Sequence, residues 1–200
     1  MVGPIVAALR SAGIQVWGWQ YVYGYVDAEG QALAAIRRVR EFDLDGFVVN
    51  AEGEWEGYPS EAASYMKALR SELPQFPVAL SSFRFPSYHQ SFPWEEFLAG
   101  CDLNMPQVYW QNHSPVADLE QSLQEHAAHQ NARPVFPTGA TYFMEANVPA
   151  TPEQVQAFLT AAKAEGLSGA NFWSWQHANG LQSDFGFNIW QTIADFDWPI

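Results

Sequence analysis

The stretch REFDLDGFVVNAEGEWEG, residues 40–57, holds a helix end, a turn, an apolar strand and an acidic loop in one line. Asp43-Leu44-Asp45-Gly46 is turn chemistry, and Phe47-Val48-Val49 is a short continuous apolar run of the kind that suits a parallel strand covered on both faces. The phrase recurs as LRSAGIQVWGW at 9–19 and KAEGLSGANFWSW at 163–175. Strands are expected at Gln15–Tyr21, Gly46–Glu52, Val78–Phe83, Leu103–Trp110, Val135–Thr141 and Ala170–Trp175.

The segments between them carry helix signals. In PSEAASYMKALRSELP, Ser60 is the expected cap, and Ala62, Tyr65, Met66, Leu69 and Leu73 form one apolar stripe before Pro74. SPVADLEQSLQEHAAH opens with Ser114 as cap and Pro115 in the first turn, with Val116, Leu119 and Leu123 facing inward. TPEQVQAFLTAAKAEG has Thr151 and Gln154 at capping-box spacing, a stripe of Val155, Phe158, Leu159 and Ala162, and Gly166 at its end. Shorter helices are expected at Pro4–Ala12, Pro93–Ala99 and Phe187–Phe196. No linker or low-complexity stretch interrupts the 200 residues, so a single domain is expected.

Strands alternating with helices through short connections imply a parallel α/β sheet. A doubly wound sheet would be favoured by a Gly-rich phosphate loop after the first strand, and WGWQYVYGYVD offers none. Polar and aromatic residues gather instead at the C-terminal ends of the strands, as on the catalytic face of a (β/α)₈ TIM barrel. Six strands are legible where that barrel has eight, so one or two N-terminal βα units are expected to be absent. The start, MVGPIVAALRSAG, reads as a helix rather than a leader. An incomplete barrel leaves two sheet edges, at Gln15–Tyr21 and Ala170–Trp175. Their coverage by another polypeptide is expected, either in a homo-oligomer or by a missing N-terminal segment.

With 9 basic and 22 acidic residues the formal charge is −13, which argues against nucleic acid or an anionic membrane as partner and fits a neutral carbohydrate. No apolar run approaches the length of a membrane span. One cysteine, Cys101, excludes an internal disulfide or a cysteine metal cage. His126 and His129, three apart, are expected on a solvated helix face, and neither a metal nor a cofactor is expected.

The strand ends carry the candidate chemistry. Period-two alternation puts Val48, Asn50 and Glu52 on one face, with Asn50 and Glu52 at the mouth. Glycoside hydrolysis uses a pair of carboxyl groups about the scissile bond, so Glu52 is the first candidate acid or base. Glu54 and Glu56 follow in the loop; Glu54 is the nearer candidate for a second carboxyl, and both also fit plain solvated charges. WGWQY supplies Trp17, Trp19 and Tyr21 on one face. SSFRFPSYH supplies Arg84, NMPQVYWQ supplies Gln107 and Tyr109 with Gln111 beyond, and NFWSWQH supplies Trp173, Trp175 and Gln176. Rings stack on the apolar faces of pyranoses while amides bind hydroxyls, so these are the candidate substrate-binding residues. No GxSxG elbow is present, and Cys101 and Asp102, ahead of their strand, read as structural.

With these residues in place, the chain resembles a family of bacterial and phage-associated glycosidase-like TIM barrels. The matching phrases are VWGWQYVYG, DGFVVNAEGEWEG, ALSSFRFPSYH, CDLNMPQVYW, PTGATY and NFWSW. More distantly it is similar to family 25 lysozymes, retaining muramidases with an Asp-x-Glu motif at a strand end. That motif falls on Asn50-Ala51-Glu52: Glu52 matches the acid position, and Asn50 does not match the aspartate. The resemblance also implies first strands, and an acidic residue on them, ahead of Met1. It implies cleavage of a neutral polysaccharide or a peptidoglycan glycan. The loss of one carboxylate leaves a glycan-binding barrel without turnover, and a purely structural subunit, as alternatives.

Overall fold

The computed structural model describes residues 2–110, 112–144, 148–179 and 189–198. The chain forms two compact units. The first comprises Met1–Ser82, Pro86–Asn104 and His129–Pro134, and the second Phe83–Phe85, Met105–Ala128 and Val135–Ile200.

In the first unit, α1 (Val2–Ser11) leads to β1 (Trp17–Val22), α2 (Ala28–Phe42), β2 (Gly46–Ala51), α3 (Pro59–Glu72), β3 (Val78–Phe83) and α4 (Trp94–Gly100). The strands run parallel, with Trp17 beside Gly46, Trp19 beside Val48, Tyr21 beside Asn50, and Asn50 beside Ser81. Residues paired in this way share a face. One face therefore carries Trp17, Trp19, Tyr21, Val48 and Asn50. The other turns Val22, Val49, Ala51 and Leu80, none of them solvent-exposed, toward the helices. That double burial is why Phe47-Val48-Val49 of β2 and Val78-Ala79-Leu80 of β3 read as short apolar runs. The expected stripe of α3 is buried as Ala62, Tyr65, Met66, Leu69 and Leu73, and α2 packs beside it through Ala32, Ala35, Ile36 and Val39.

Polar clasps fix the connections. Arg10 of α1 reaches Asp45, whose carboxylate also accepts the Val16 N–H at 2.7 Å, so one aspartate joins α1 to the entry of β1 and the turn before β2. Arg70 donates to the Gly100, Leu73 and Phe76 carbonyls and to Asp102. Arg70, Gly100 and Asp102 line a surface cavity of about 580 Å³ at the N-terminal ends of the strands, away from the candidate carboxylates.

The second unit holds β4 (Leu103–Val108, its first two residues belonging to the first unit), α5 (Pro115–Ala127) and β5 (Thr138–Ala140). A short hairpin of β6 (Phe143–Met144) and β7 (Val148–Pro149) precedes α6 (Pro152–Ala164), β8 (Asn171–Trp173), α7 (Trp175–Ala178) and α8 (Ile189–Ala194). β5 pairs in parallel with β4 and with β8. Trp110, Leu119, Val155, Phe158 and Leu159 form its core. Ser114 caps α5 through Ala117 N–H, and Thr151 with Gln154 completes the capping box of α6. Six strands thus carry the strand–helix phrase among the described residues, against the eight of a closed barrel.

Several expectations are corrected. Ser60 does not cap α3: Tyr58 holds the N-cap and Pro59 the first turn, since proline's missing N–H leaves one orphan fewer to satisfy. β4 stops at Val108, leaving Tyr109 and Trp110 beyond it, and β8 stops at Trp173, so Trp175 and Gln176 lie in a helical turn. His126 is buried, its Nε2 3.2 Å from the Phe83 carbonyl, and His129 packs against Trp94 and meets Glu95 at 3.0 Å, so neither faces solvent as expected. Of the last expected helix, residues 187 and 188 lie outside the described residues, as does Gln111. The hairpin β6–β7 was not anticipated. No helix among the described residues is long and apolar enough to cross a membrane.

Candidate functional site

The first unit gathers Trp19, Tyr21, Asn50, Glu52 and Glu54 at the C-terminal ends of β1 and β2. Asn50 is buried, and its Nδ2 donates to Glu52 Oε1 at 2.8 Å. This contact is what alternation implies: two side chains two residues apart on one face, at the point where the strand gives way to loop. Glu52 itself is half-buried and begins a single 3₁₀ turn, Gly53–Trp55.

That turn is anchored from below. Trp55 is fully buried, with ring centroids 5.0 Å from Phe97 and 6.1 Å from Tyr65, both edge-on. A buried ring of that size fixes the backbone that carries Glu52 and Glu54 just ahead of it. Sequence reading passed over Trp55, although a lone tryptophan among glutamates and glycines was its signal.

The carboxylates read as solvated loop charges are engaged. Glu54 Oε2 accepts from Tyr21 Oη at 2.7 Å. Burial, that hydrogen bond and the neighbouring charges of Glu52 and Glu54 push the Tyr21 phenol well above its ordinary range, so it is a fixed neutral donor. Glu56 meets His89 Nδ1 at 2.8 Å and accepts from Ser91 Oγ at 3.0 Å. His89 and then Ser91 hold the Glu56 carboxyl below its ordinary value. The Tyr21–Glu54 pair joins residues 33 apart in sequence, which no local pattern reveals.

Trp17 is not part of this group. It stands at the start of β1 and covers Gly46, where an added Cβ would lie 2.2 Å from the indole. Four residues of strand put it about 13 Å from the level of Tyr21.

The second unit holds the remaining candidates. Arg84 donates to the Tyr109 carbonyl and pairs with buried Asp118 at 2.7 Å, a partner not foreseen. Gln107 and Tyr109 project on the face opposite Val108 and Trp110, which enter the core. The Tyr109 ring meets Tyr142 edge-on at 5.4 Å, and Tyr142 lies 6.0 Å from the His177 ring. His177 Nδ1 sits 2.7 Å from Ser174 Oγ, and Thr141 Oγ1 donates to the Ser174 carbonyl. Flanking Ser174, Trp173 is 45% and Trp175 59% exposed, and Gln176 is exposed beside them. Two neighbouring indoles that open to water are not core residues. Among the described residues no group of three metal-ligating side chains comes together.

No protein-family model matches the chain, and no curated protein matches it by sequence. Solved structures do. A GH18 chitinase from Pseudoalteromonas aurantia superposes with a TM-score of 0.69 at 15% identity, over 96% of this chain and 79% of that one. A chitinase from Chromobacterium violaceum gives a TM-score of 0.69 at 10% identity, over 97% and 83% of the two chains. Human YKL-39, described as a pseudo-chitinase with retained chitooligosaccharide binding, gives 0.70 at 10%, over 97% and 84%. At these identities the likeness shows the fold alone: a parallel α/β architecture of the TIM-barrel type. The narrower likeness to family 25 lysozymes gains no support from these chitinase-type neighbours.

Proposed function

We propose that this chain is a glycoside-hydrolase-type barrel that binds a neutral glycan at the C-terminal ends of its strands, with Glu52 as the acid/base of its hydrolysis. The observation that carries the reading is the Asn50–Glu52 pair: a half-buried carboxyl oriented by a buried amide on a turn that Trp55 immobilises. Positioning of this kind is what a general acid needs, since its proton must reach the glycosidic oxygen in one geometry. Within the same unit, the exposed Trp19 ring offers an apolar face to a sugar.

Asn50 supplies no carboxylate, so a scheme with two protein carboxyls on adjacent strand positions does not apply. GH18 hydrolysis is substrate-assisted, with the nucleophile drawn from the sugar, and needs one protein carboxyl for proton transfer. Glu52 fits that single role, with Asn50 holding it and Tyr21 fixing Glu54 beside it. Chitooligosaccharides are therefore the first ligands to test, followed by peptidoglycan fragments. The asparagine also favours a second reading, a barrel that retains binding and has lost turnover, as the pseudo-chitinase description of YKL-39 illustrates for that protein.

Glu52→Gln keeps the shape and the Asn50 contact while removing the transferable proton. Expected is a loss of hydrolysis of about 10²–10⁴-fold with oligosaccharide binding retained. Saturable binding with no turnover by the unsubstituted chain selects the second reading. Full turnover by Glu52→Gln overturns the assignment of Glu52, and a chain that neither binds nor cleaves overturns both.

A further inference from the structure

Beyond Tyr21 the chain continues Val22-Tyr23-Gly24-Tyr25, and the alternation of β1 carries on past the strand's end. The four rings of Trp19, Tyr21, Tyr23 and Tyr25 form a continuous series, with successive centroids 6.5, 5.1 and 5.7 Å apart. Each step is close to the repeat of one pyranose in an extended β-linked chain. Tyr21 is half-buried, while Trp19 is 49%, Tyr23 37% and Tyr25 63% exposed. Tyr25, the most exposed of the four, leaves most of its ring in water, apolar surface that a ligand can cover.

The loop that presents the last two rings is held rigidly. Gln31 brackets Tyr23, its Oε1 accepting the Tyr23 N–H and its Nε2 donating to the Tyr23 carbonyl, each at 2.9 Å. The Gly24 N–H donates to the Glu54 carbonyl, and Val26 N–H closes a turn onto Tyr23. Gly24 is buried, and a Cβ there would meet the Glu54 carbonyl oxygen at 2.6 Å. The exposed rings thus stand on a backbone that cannot relax. Rigid, two-torsion side chains on a fixed backbone lose little entropy when a ligand covers them.

We infer that Tyr23 and Tyr25 are distal glycan subsites, which extend the binding surface away from Glu52 so that it takes an oligosaccharide of several pyranoses rather than a mono- or disaccharide. The inference rests on the glycan reading above and adds to it the length of the ligand and two residues that contact it. Because the Glu54 backbone carries both the Gly24 hydrogen bond and the Tyr21 partner, a chain seated on the two tyrosines is held in register with the carboxylates.

The test is calorimetric titration with β-1,4-linked N-acetylglucosamine oligomers of two to six sugars, on the unsubstituted chain and on Tyr25→Ala, Tyr23→Ala and Tyr25→Phe. Affinity is expected to rise with oligomer length in the unsubstituted chain and in Tyr25→Phe. Each alanine variant is expected to lose about three- to tenfold on the longest oligomers and nothing on the disaccharide. Circular dichroism verifies folding, and both rings are exposed enough for the variants to fold. Length dependence that survives both alanine variants overturns the inference while leaving the Glu52 site standing. Absence of binding at every length overturns both.

Discussion

Gly24→Ala tests how firmly the loop of β1 and the turn of Glu52–Glu56 are joined. An added Cβ would stand 2.6 Å from the Glu54 carbonyl oxygen and 2.9 Å from two atoms of the Tyr58 ring. The ring can swing aside. The carbonyl cannot, because Trp55, the next residue, is sealed in the aromatic core and its N–H is bonded to Glu52. Either loop must then shift, lengthening the 3.2 Å Gly24–Glu54 hydrogen bond and pulling Glu54 from Tyr21. Overpacking of this kind costs about 1–3 kcal/mol, which for a chain of this size lowers the melting temperature by roughly 2–10 °C. Oligosaccharide affinity should fall with it, because the ring series and the carboxylates lose their common frame. Gly53→Ala is the matched control: it lies in the same turn, outside the left-handed region, and an added Cβ there would meet nothing within 4 Å. That variant should melt no lower than the parent, since alanine reduces the freedom of the unfolded chain. If Gly24→Ala melts within about a degree of Gly53→Ala and binds as tightly, the two loops are not coupled as described.

Other outcomes follow from single sites. Burial opposes the Asp102 carboxylate, but the Val78 N–H and Arg70 outweigh it and hold its pKa below the ordinary value. A depressed folded pKa contributes stability above the unfolded value and loses it as pH falls through the folded one. Asp102→Asn should therefore melt below the parent at neutral pH, and the gap should close in acid; a gap unchanged down to about pH 2 would refute this. Burial pushes the Cys101 thiol up to about 12, so iodoacetamide at about pH 8 should leave the native chain unlabelled and alkylate it fully in denaturant. Trp175→Ala should leave the melting temperature within about 1 °C, as expected of an exposed residue, and weaken glycan binding; a folded variant that binds normally would remove it from the ligand surface.

Strands and helices were legible because burial leaves period marks. The α3 and α6 stripes, the capping box at Thr151, the apolar run of β2 and the bounds of β3 all stand where pattern places them. The Asn50–Glu52 contact was legible for the same reason, since alternation sets the two side chains on one face. What escaped was tertiary. Ser60 lost its capping role to the chain path through Tyr58 and Pro59, and His126 was drawn inward by the Phe83 carbonyl. Glu54 found Tyr21, Arg84 found Asp118 and Glu56 found His89, at separations of 33, 34 and 33 residues. Polar partners that far apart leave no periodic trace, so sequence offers the residue types without the pairs.

The bracket that Gln31 places on Tyr23 does more than steady a loop. A primary amide offers one acceptor and a donor side by side, the same pair that a peptide group of a neighbouring strand offers. β2 has ended at Ala51, opposite Val22, and supplies no such group one residue further on. The glutamine, rooted in the first turn of α2, takes the role of that absent peptide and prolongs the sheet by one rung. A helix is thereby made to finish a strand. Its reach is fixed by three torsions and the length of one side chain, so the segment from Tyr23 to Gln31 has no spare residue. An insertion there would uncouple the rung from the helix. Neither glutamate, which lacks the donor, nor asparagine, which falls a methylene short, could stand in for it.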